Sequence, residues 1–357
     1  MTILKRSASM VSALVMMISG AGAYNCSAEG TTVNDSNTNN TREIVIDGTT
    51  AQLKENMRYR GAGMVSANNS SRLLLDYKAE HPDVYEQIME YMFGNEGIGI
   101  THLKLEMGAD INSSSGTEPS VMRTEDEKAD VTRGAAYQLA ADAKKINPDL
   151  TLDMLWWSEP KWVSDASDVY AARYKWYKNT LDSAYETYGL EFDYVSAVQN
   201  ERGADPEWVK YLSSHLKSEK GTPYDYSKIK IVGGEEVCTW GFADRMYEDS
   251  ELMNVVDVVG SQSTENAQKL AYEENKELWF SEASSPMAYA QGTYRYDGSG
   301  LAGINGTLDI ANRIIGMYPN GKMTLYEYQP AVSAYYDGAC YCQKQLISAC
   351  DPWSGYY

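Results

Sequence analysis

The sequence predicts an α/β chain folded as a closed (β/α)8 TIM barrel. Two observations carry that prediction. Eight short apolar runs alternate with helix-length amphipathic segments between positions 60 and 328, and two of those runs deliver a carboxylate at their end. Strands separated by helices run parallel with right-handed crossovers, and eight such units close on themselves.

Residues 60–65 read as a glycine-broken first strand, and 83–93 carry apolar residues at helical spacing after His81-Pro82. A second strand spans 101–107, partly polar on one side. The helix that follows is expected over 127–146 and stops before Asn147-Pro148. The third strand, 150–157, ends in Trp156-Trp157-Ser158-Glu159-Pro160, and a long amphipathic helix covers 168–188. The fourth is the run from Tyr194 to Gly203, and Asp205-Pro206-Glu207 then opens a helix with an N-cap and an N1 proline. Strands five to seven are expected at 229–233, 255–261 and 278–281. A helix over 308–317 precedes strand eight at 323–328.

The fourth run delivers Asn200-Glu201, and the seventh, Glu277-Leu278-Trp279-Phe280-Ser281-Glu282-Ala283, delivers a second acid 81 residues later. Both read as buried parallel strands ending in a carboxylate, a placement that needs a reason because unpaired buried charge is costly. Cleavage of a glycosidic bond supplies one: one acid is held protonated for the leaving oxygen, the other stays ionised to meet the sugar carbon. Glu201 is expected to be buried and to face the negative charge of Glu282. Asn200 has an amide for a sugar hydroxyl, and Trp157 has a stacking face. Plainer readings exist: Glu201 as a solvated loop acid beside Arg202, Glu282 as an N-cap, Trp157 as a core aromatic.

A net charge of −19 argues against nucleic acid and anionic membrane surfaces as partners. The aromatic set of 28 Tyr and 8 Trp against 4 Phe favours rings with a polar handle, which suits a wet carbohydrate cleft. His81, His102 and His215 are the three histidines, and two lie on predicted helices far from any Cys or Ser motif, so a Ser-His-Asp hydrolase or a His-based metal site is disfavoured. No metal and no cofactor are expected. Gly298-Ser299-Gly300-Leu301-Ala302-Gly303 matches a nucleotide-binding glycine pattern by letters, but it follows Tyr294-Arg295-Tyr296-Asp297 and reads as a loop over the barrel mouth.

Residues 1–23 fit a secretory signal: Lys5 and Arg6, a short apolar core, then Ala21-Gly22-Ala23. A secreted or extracytoplasmic protein is expected, with no stable membrane insertion once the signal is removed. Cys26 raises the question of a lipoprotein anchor, which Asn25 before it disfavours. Cys238, Cys340, Cys342 and Cys350 imply no particular pairing. Residues 24–42 are a polar linker, and 43–46 a brief strand before Asp47-Gly48.

Several further motifs run in order from position 60 to the last residue. They are Ser71-Arg72-Leu73-Leu74, Gly116-Thr117-Glu118-Pro119-Ser120, Asn200-Glu201-Arg202, Val255-Val256-Asp257-Val258-Val259-Gly260, Leu278-Trp279 with Ser281-Glu282, and Asp351-Pro352-Trp353-Ser354-Gly355-Tyr356-Tyr357. On these the chain resembles glycoside hydrolase family 59, the galactocerebrosidases (galactosylceramidases). The resemblance implies a retaining β-galactosidase for galactosylceramide-like glycolipids or related β-galactosides, with the acid/base on Glu201 and the nucleophile on Glu282. It maps galactose contacts onto Ser70, Trp157 and Asn200, and more loosely onto Ser285 and Tyr341. Tyr328 stands about where the family carries a sugar-stacking tryptophan.

The chain departs from the family at Gln199, where a tryptophan is usual, and at Ser261-Gln262-Ser263, where Ala-His-Tyr is familiar. The family also continues past this chain's last residue into a β-sandwich and a lectin-like domain. The expected layout is therefore signal 1–23, linker 24–42, a sandwich strand in 43–56, barrel 57–330, and 331–357 as the barrel end and start of a truncated sandwich. Two alternatives stay open on these departures: a carbohydrate-binding barrel with impaired catalysis, and a retaining glycosidase for another β-linked glycan. The sequence does not address an activator protein.

Overall fold

The structure is a computed structural model, and it describes residues 54–113, 116–262, 266–283, 307–329, 331–334 and 346–349. Its centre is one sheet of eight parallel strands: β1 (Gly61–Ser66), β2 (His102–Glu106), β3 (Thr151–Leu155), β4 (Tyr194–Ser196), β5 (Lys230–Val237), β6 (Val258–Gln262), β7 (Glu277–Ala283) and β8 (Met323–Tyr328). The hydrogen-bonded order is β3-β2-β1-β8-β7-β6-β5-β4. The seam between β3 and β4 is joined by a parallel bridge between Trp156 and Gln199, with Asp193 N donating to Leu152 O at 3.0 Å and Asn200 N to Trp156 O at 2.9 Å. The expected (β/α)8 barrel is thus the observed architecture.

Side chains alternate across each strand, so every strand feeds two different interiors. Leu103, Leu105, Leu152, Met154, Ile231, Val259, Leu278 and Phe280 belong to the large core shared with the helices. Tyr194, Val232, Val258, Trp279 and Leu325 form a separate apolar cluster within the barrel, where the Tyr194 and Trp279 rings meet edge to face at 4.7 Å.

The helices are α1 (Asn68–Glu80), α2 (Pro82–Phe93), α3 (Ala135–Ile146), α4 (Val169–Tyr188), α5 (Pro206–Ser218), α6 (Gly241–Met246), α7 (Ser250–Val255) and α8 (Thr307–Gly321), with one-turn helices at Lys161–Ser164 and Leu270–Glu273. Asp168 caps α4 by accepting Ala171 N, and Gly189 closes it in the left-handed conformation. Asp205 caps α5 ahead of Pro206, as its motif predicts.

Several boundaries differ from the sequence reading, and strand five runs on to Val237, past its expected end at 233. The helix expected from residue 127 starts at Ala135, because Asp130 caps a separate 3-10 turn over Val131–Arg133 and Gly134 stays extended. α1, not anticipated, occupies the connection after β1. The run from Ser250 to Val255 is helical, so β6 begins at Val258. β4 stops at Ser196, so Asn200-Glu201 lies in the loop beyond it. Outside the barrel, Val332–Ala334 pairs in parallel with Ile347–Ala349. The strand expected near Ile44, the Gly298–Gly303 loop, Ser285 and Tyr341 lie outside the described residues.

Candidate active site

Strict alternation along β7 would send Trp279 and Ser281 into the barrel and Glu282 out of it. The ladder is irregular there: Ser261 pairs with Phe280, yet the next residue of β6, Gln262, pairs with Glu282. The same offset recurs against β8, where Tyr326 pairs with Phe280 and Tyr328 with Ala283. A bulge re-aims the side chain that follows it. Glu282, half-buried, accordingly meets Asn200 from the loop after β4, whose Nδ2 donates to Glu282 Oε2 at 3.3 Å.

Asn200 is itself buried and held on three sides. Its N donates to Trp156 O, and its Oδ1 accepts Gln262 Nε2 at 2.6 Å. The sense of this chain is set at its acidic end, because an ionised carboxylate only accepts: Asn200 must present its amide nitrogen to Glu282 and its oxygen to Gln262. Gln262, where the family usually has histidine, therefore works as the donor that orients Asn200.

Glu201 has a left-handed backbone (φ 61°), and its N donates to Glu235 O at 3.2 Å. Its side chain is exposed, which corrects the expectation of burial: the acid follows a tight turn beyond the strand and is not part of the strand. Trp157 is half-buried at the end of the third unit, and its carbonyl accepts Gln199 Nε2 at 2.6 Å. The second departure from the family thus ties the backbone of Trp157 across the barrel seam. Ser70 lies in the first turn of α1, and Tyr328 ends β8, buried, beside Ala283.

One side-chain layer below Asn200 and Glu282, the barrel is filled with charge. Lys104 on β2 is fully buried; its Nζ donates to Glu235 Oε1 at 3.0 Å and to Ser281 O at 2.8 Å, and lies 2.6 Å from Glu327 Oε2. Ser196 Oγ donates to Asp153 Oδ2 at 2.8 Å and reaches Glu235 Oε1 at 3.5 Å. The room comes from glycine: a Cβ on Gly260 would stand 2.9 Å from Glu235 Oε1, and one on Gly63 3.0 Å from Glu327 Cγ.

Burial disfavours each ionised form, and one cation faces three acids. Burial pushes Asp153 up to about 7 against the opposing pull of Lys104, and drives Glu327 well above the carboxylate range. The Lys104 ammonium is held charged: its desolvation is outweighed by Glu235, Glu327 and Asp153. His102, lowered by burial and by Lys104, remains neutral.

Sequence reasoning passed over Lys104, Asp153, Glu235 and Glu327. Part of their signal is present, since each places a charge inside a buried strand. It became readable once the partners, 49 to 223 residues away along the chain, were brought together.

The sequence model described as glycosyl hydrolase family 59 matches residues 59–357. The chain is 32% identical over 309 residues to the galactocerebrosidase of Homo sapiens, covering 84% of this chain and 41% of that protein. It is 30% identical over 308 residues to the galactocerebrosidase of Danio rerio, covering 83% and 42%. It therefore spans about two-fifths of the length of these relatives. Among solved structures, SrfJ from Salmonella typhimurium superposes with a TM-score of 0.63 at 16% identity, covering 83% of this chain and 74% of that one. The catalytic domain of xylanase C from Talaromyces cellulolyticus gives 0.57 at 14%, covering 77% and 69%. At such identities these two likenesses speak for the fold alone.

Proposed function

The chain belongs to glycosyl hydrolase family 59, and on that premise we propose that it is a retaining β-galactosidase acting on galactosylceramide-like glycolipids or related β-galactosides. The observation that carries this reading is the 3.3 Å contact between Asn200 and Glu282, which joins the Asn-Glu motif of one loop to the acid of a strand 82 residues away. Glu282 attacks the anomeric carbon as the bond to the leaving oxygen breaks, and Glu201 gives that oxygen its proton. Glu201 then takes a proton from water, which displaces Glu282 and restores the anomeric configuration. The exposure of Glu201 suits a group that must meet both a departing aglycone and an incoming water. Residues 1–23 support export from the cytoplasm as part of the same proposal.

The test is a panel of aryl glycosides given to the parent chain, Glu282→Gln and Glu201→Ala. Aryl β-galactosides should be turned over by the parent and not by Glu282→Gln, while Glu201→Ala keeps slow turnover of substrates with good leaving groups. A fluorinated galactoside should trap a covalent adduct on Glu282, and the two carboxyl groups of a sugar complex should lie about 5–5.5 Å apart. Preference for a different β-glycoside would move the substrate while keeping the mechanism. Sugar binding with no product from any member of the panel would replace the enzyme by a binding barrel.

A further inference from the structure

Glu201 is exposed and left-handed, so its own side chain does little to hold it in place. What holds it is the end of the neighbouring strand. Its N–H donates to the carbonyl of Glu235, and Glu235 is itself left-handed (φ 58°) at the point where β5 slips register against β6 between Gly234 and Glu236. A non-glycine residue in that conformation is strained and persists where its surroundings over-determine it. The surroundings here are specific. The Glu235 carboxylate is fully buried and gripped by Lys104 Nζ at 3.0 Å, and the same nitrogen donates at 2.8 Å to the carbonyl of Ser281, the residue before Glu282.

The next residue secures the other side of the loop. Glu236 Oε2 accepts Phe242 N at 2.7 Å, its Oε1 lies 3.5 Å from Arg245 Nη2, and Arg245 Nη1 donates to Ala204 O at 2.9 Å, three residues beyond Glu201.

We infer that Glu235 is a positioning residue for Glu201: its buried carboxylate, anchored on Lys104, keeps its strained backbone in the conformation whose carbonyl receives the Glu201 N–H. The inference rests on the acid/base role proposed above for Glu201. Without the anchor the backbone at 235 is free to relax to negative φ, its carbonyl swings away, and the loop carrying the proton donor loses its register. Lys104 meanwhile ties this strand to the one bearing Glu282, so the two acids share one buried cation as a common reference point.

The experiment compares kcat/KM of parent, Glu235→Ala, Glu235→Gln and Glu201→Ala on a dinitrophenyl and a phenyl β-galactoside. The first leaves without protonation; the second needs it. Glu235→Ala should lose at least about tenfold more on the phenyl substrate than on the dinitrophenyl one, a share of the ~10²–10⁴-fold that acid–base help supplies. Glu235→Gln retains an acceptor for Lys104 and should restore most of that difference. Arg245→Ala, which loosens the loop without entering the buried layer, should show the same bias more weakly and covers the case in which Glu235→Ala does not fold. An equal loss on both substrates in Glu235→Ala, or a Gln variant as biased as Ala, overturns the inference. If Glu201→Ala shows the leaving-group bias and neither Glu235→Ala nor Arg245→Ala does, the positioning role alone falls. If Glu201→Ala shows none, the acid/base reading falls and the positioning role with it.

Discussion

Asn200 Nδ2 and Glu282 Oε2 stand 3.3 Å apart, the amide of a loop after β4 donating to a carboxylate on β7, and Gln262 Nε2 holds the far side of that amide at 2.6 Å. Reversing the donor tests the relationship. Asn200→Asp sets a second carboxylate against Glu282, and two acids so close do not both ionise readily. A hydrogen bond to a charged group is worth ~1.5–3 kcal/mol, so kcat/KM is expected to fall about 10–100-fold or more. The acid limb of the pH–rate profile should move to higher pH, which a fall without a limb shift would contradict. Gln262→Ala should lose less than Asn200→Ala, and the double variant should fall short of the sum, because both act on one carboxylate.

Lys104→Met removes the cation from a fully buried layer. Breaking a buried ion pair by taking one partner costs ~3–5 kcal/mol, which urea unfolding reads as a lower midpoint. The loss should be smaller at acidic pH than at neutral pH, since Glu327 and Asp153 can then take up protons.

Asp153 makes the sign of the pH dependence testable. Its pKa is raised in the folded protein to about 7 by burial, above the ~3.9 of an unfolded aspartate. Between those values the folded chain binds more protons than the unfolded one, so this group lowers stability as pH climbs from about 4 to about 7. Asp153→Asn keeps an acceptor for Met154 N and a partner for Ser196 Oγ, and removes the titration. The variant should gain stability over the parent across that window, by up to about 4 kcal/mol at its upper end. Glu327 and Glu118, also raised chiefly by burial, give slopes of the same sign, so thermal melts at several pH values should show a flatter dependence, not a flat one.

Gly260 offers a steric check. A Cβ there would stand 2.6 Å from Ser281 Oγ and 2.9 Å from Glu235 Oε1. Gly260→Ala should destabilise by ~1–3 kcal/mol, as overpacking does, and should also reduce turnover, because the displaced groups lie beneath Glu282 and beside Lys104. A variant with parental melting temperature and parental kcat/KM would show that the layer is looser than its distances.

The eight-strand alternation, the helix cap at Asp205 and strand eight at its observed bounds were all legible from residue order. Local signals carry them: period, capping chemistry and short motifs are written within a few residues of where they act. What tertiary structure decided lies at longer range. The bulge that turns Glu282 toward Asn200 depends on how β7 registers against β6 and β8. The exposure and left-handed turn of Glu201 depend on a carbonyl from β5. The buried layer depends on five strands aiming Lys104, Asp153, Ser196, Glu235 and Glu327 at one another. A charge inside an apolar run says that a partner is needed. Which residue supplies it is settled when the sheet closes, because the Coulomb attraction that outweighs desolvation exists at the few ångströms closure creates.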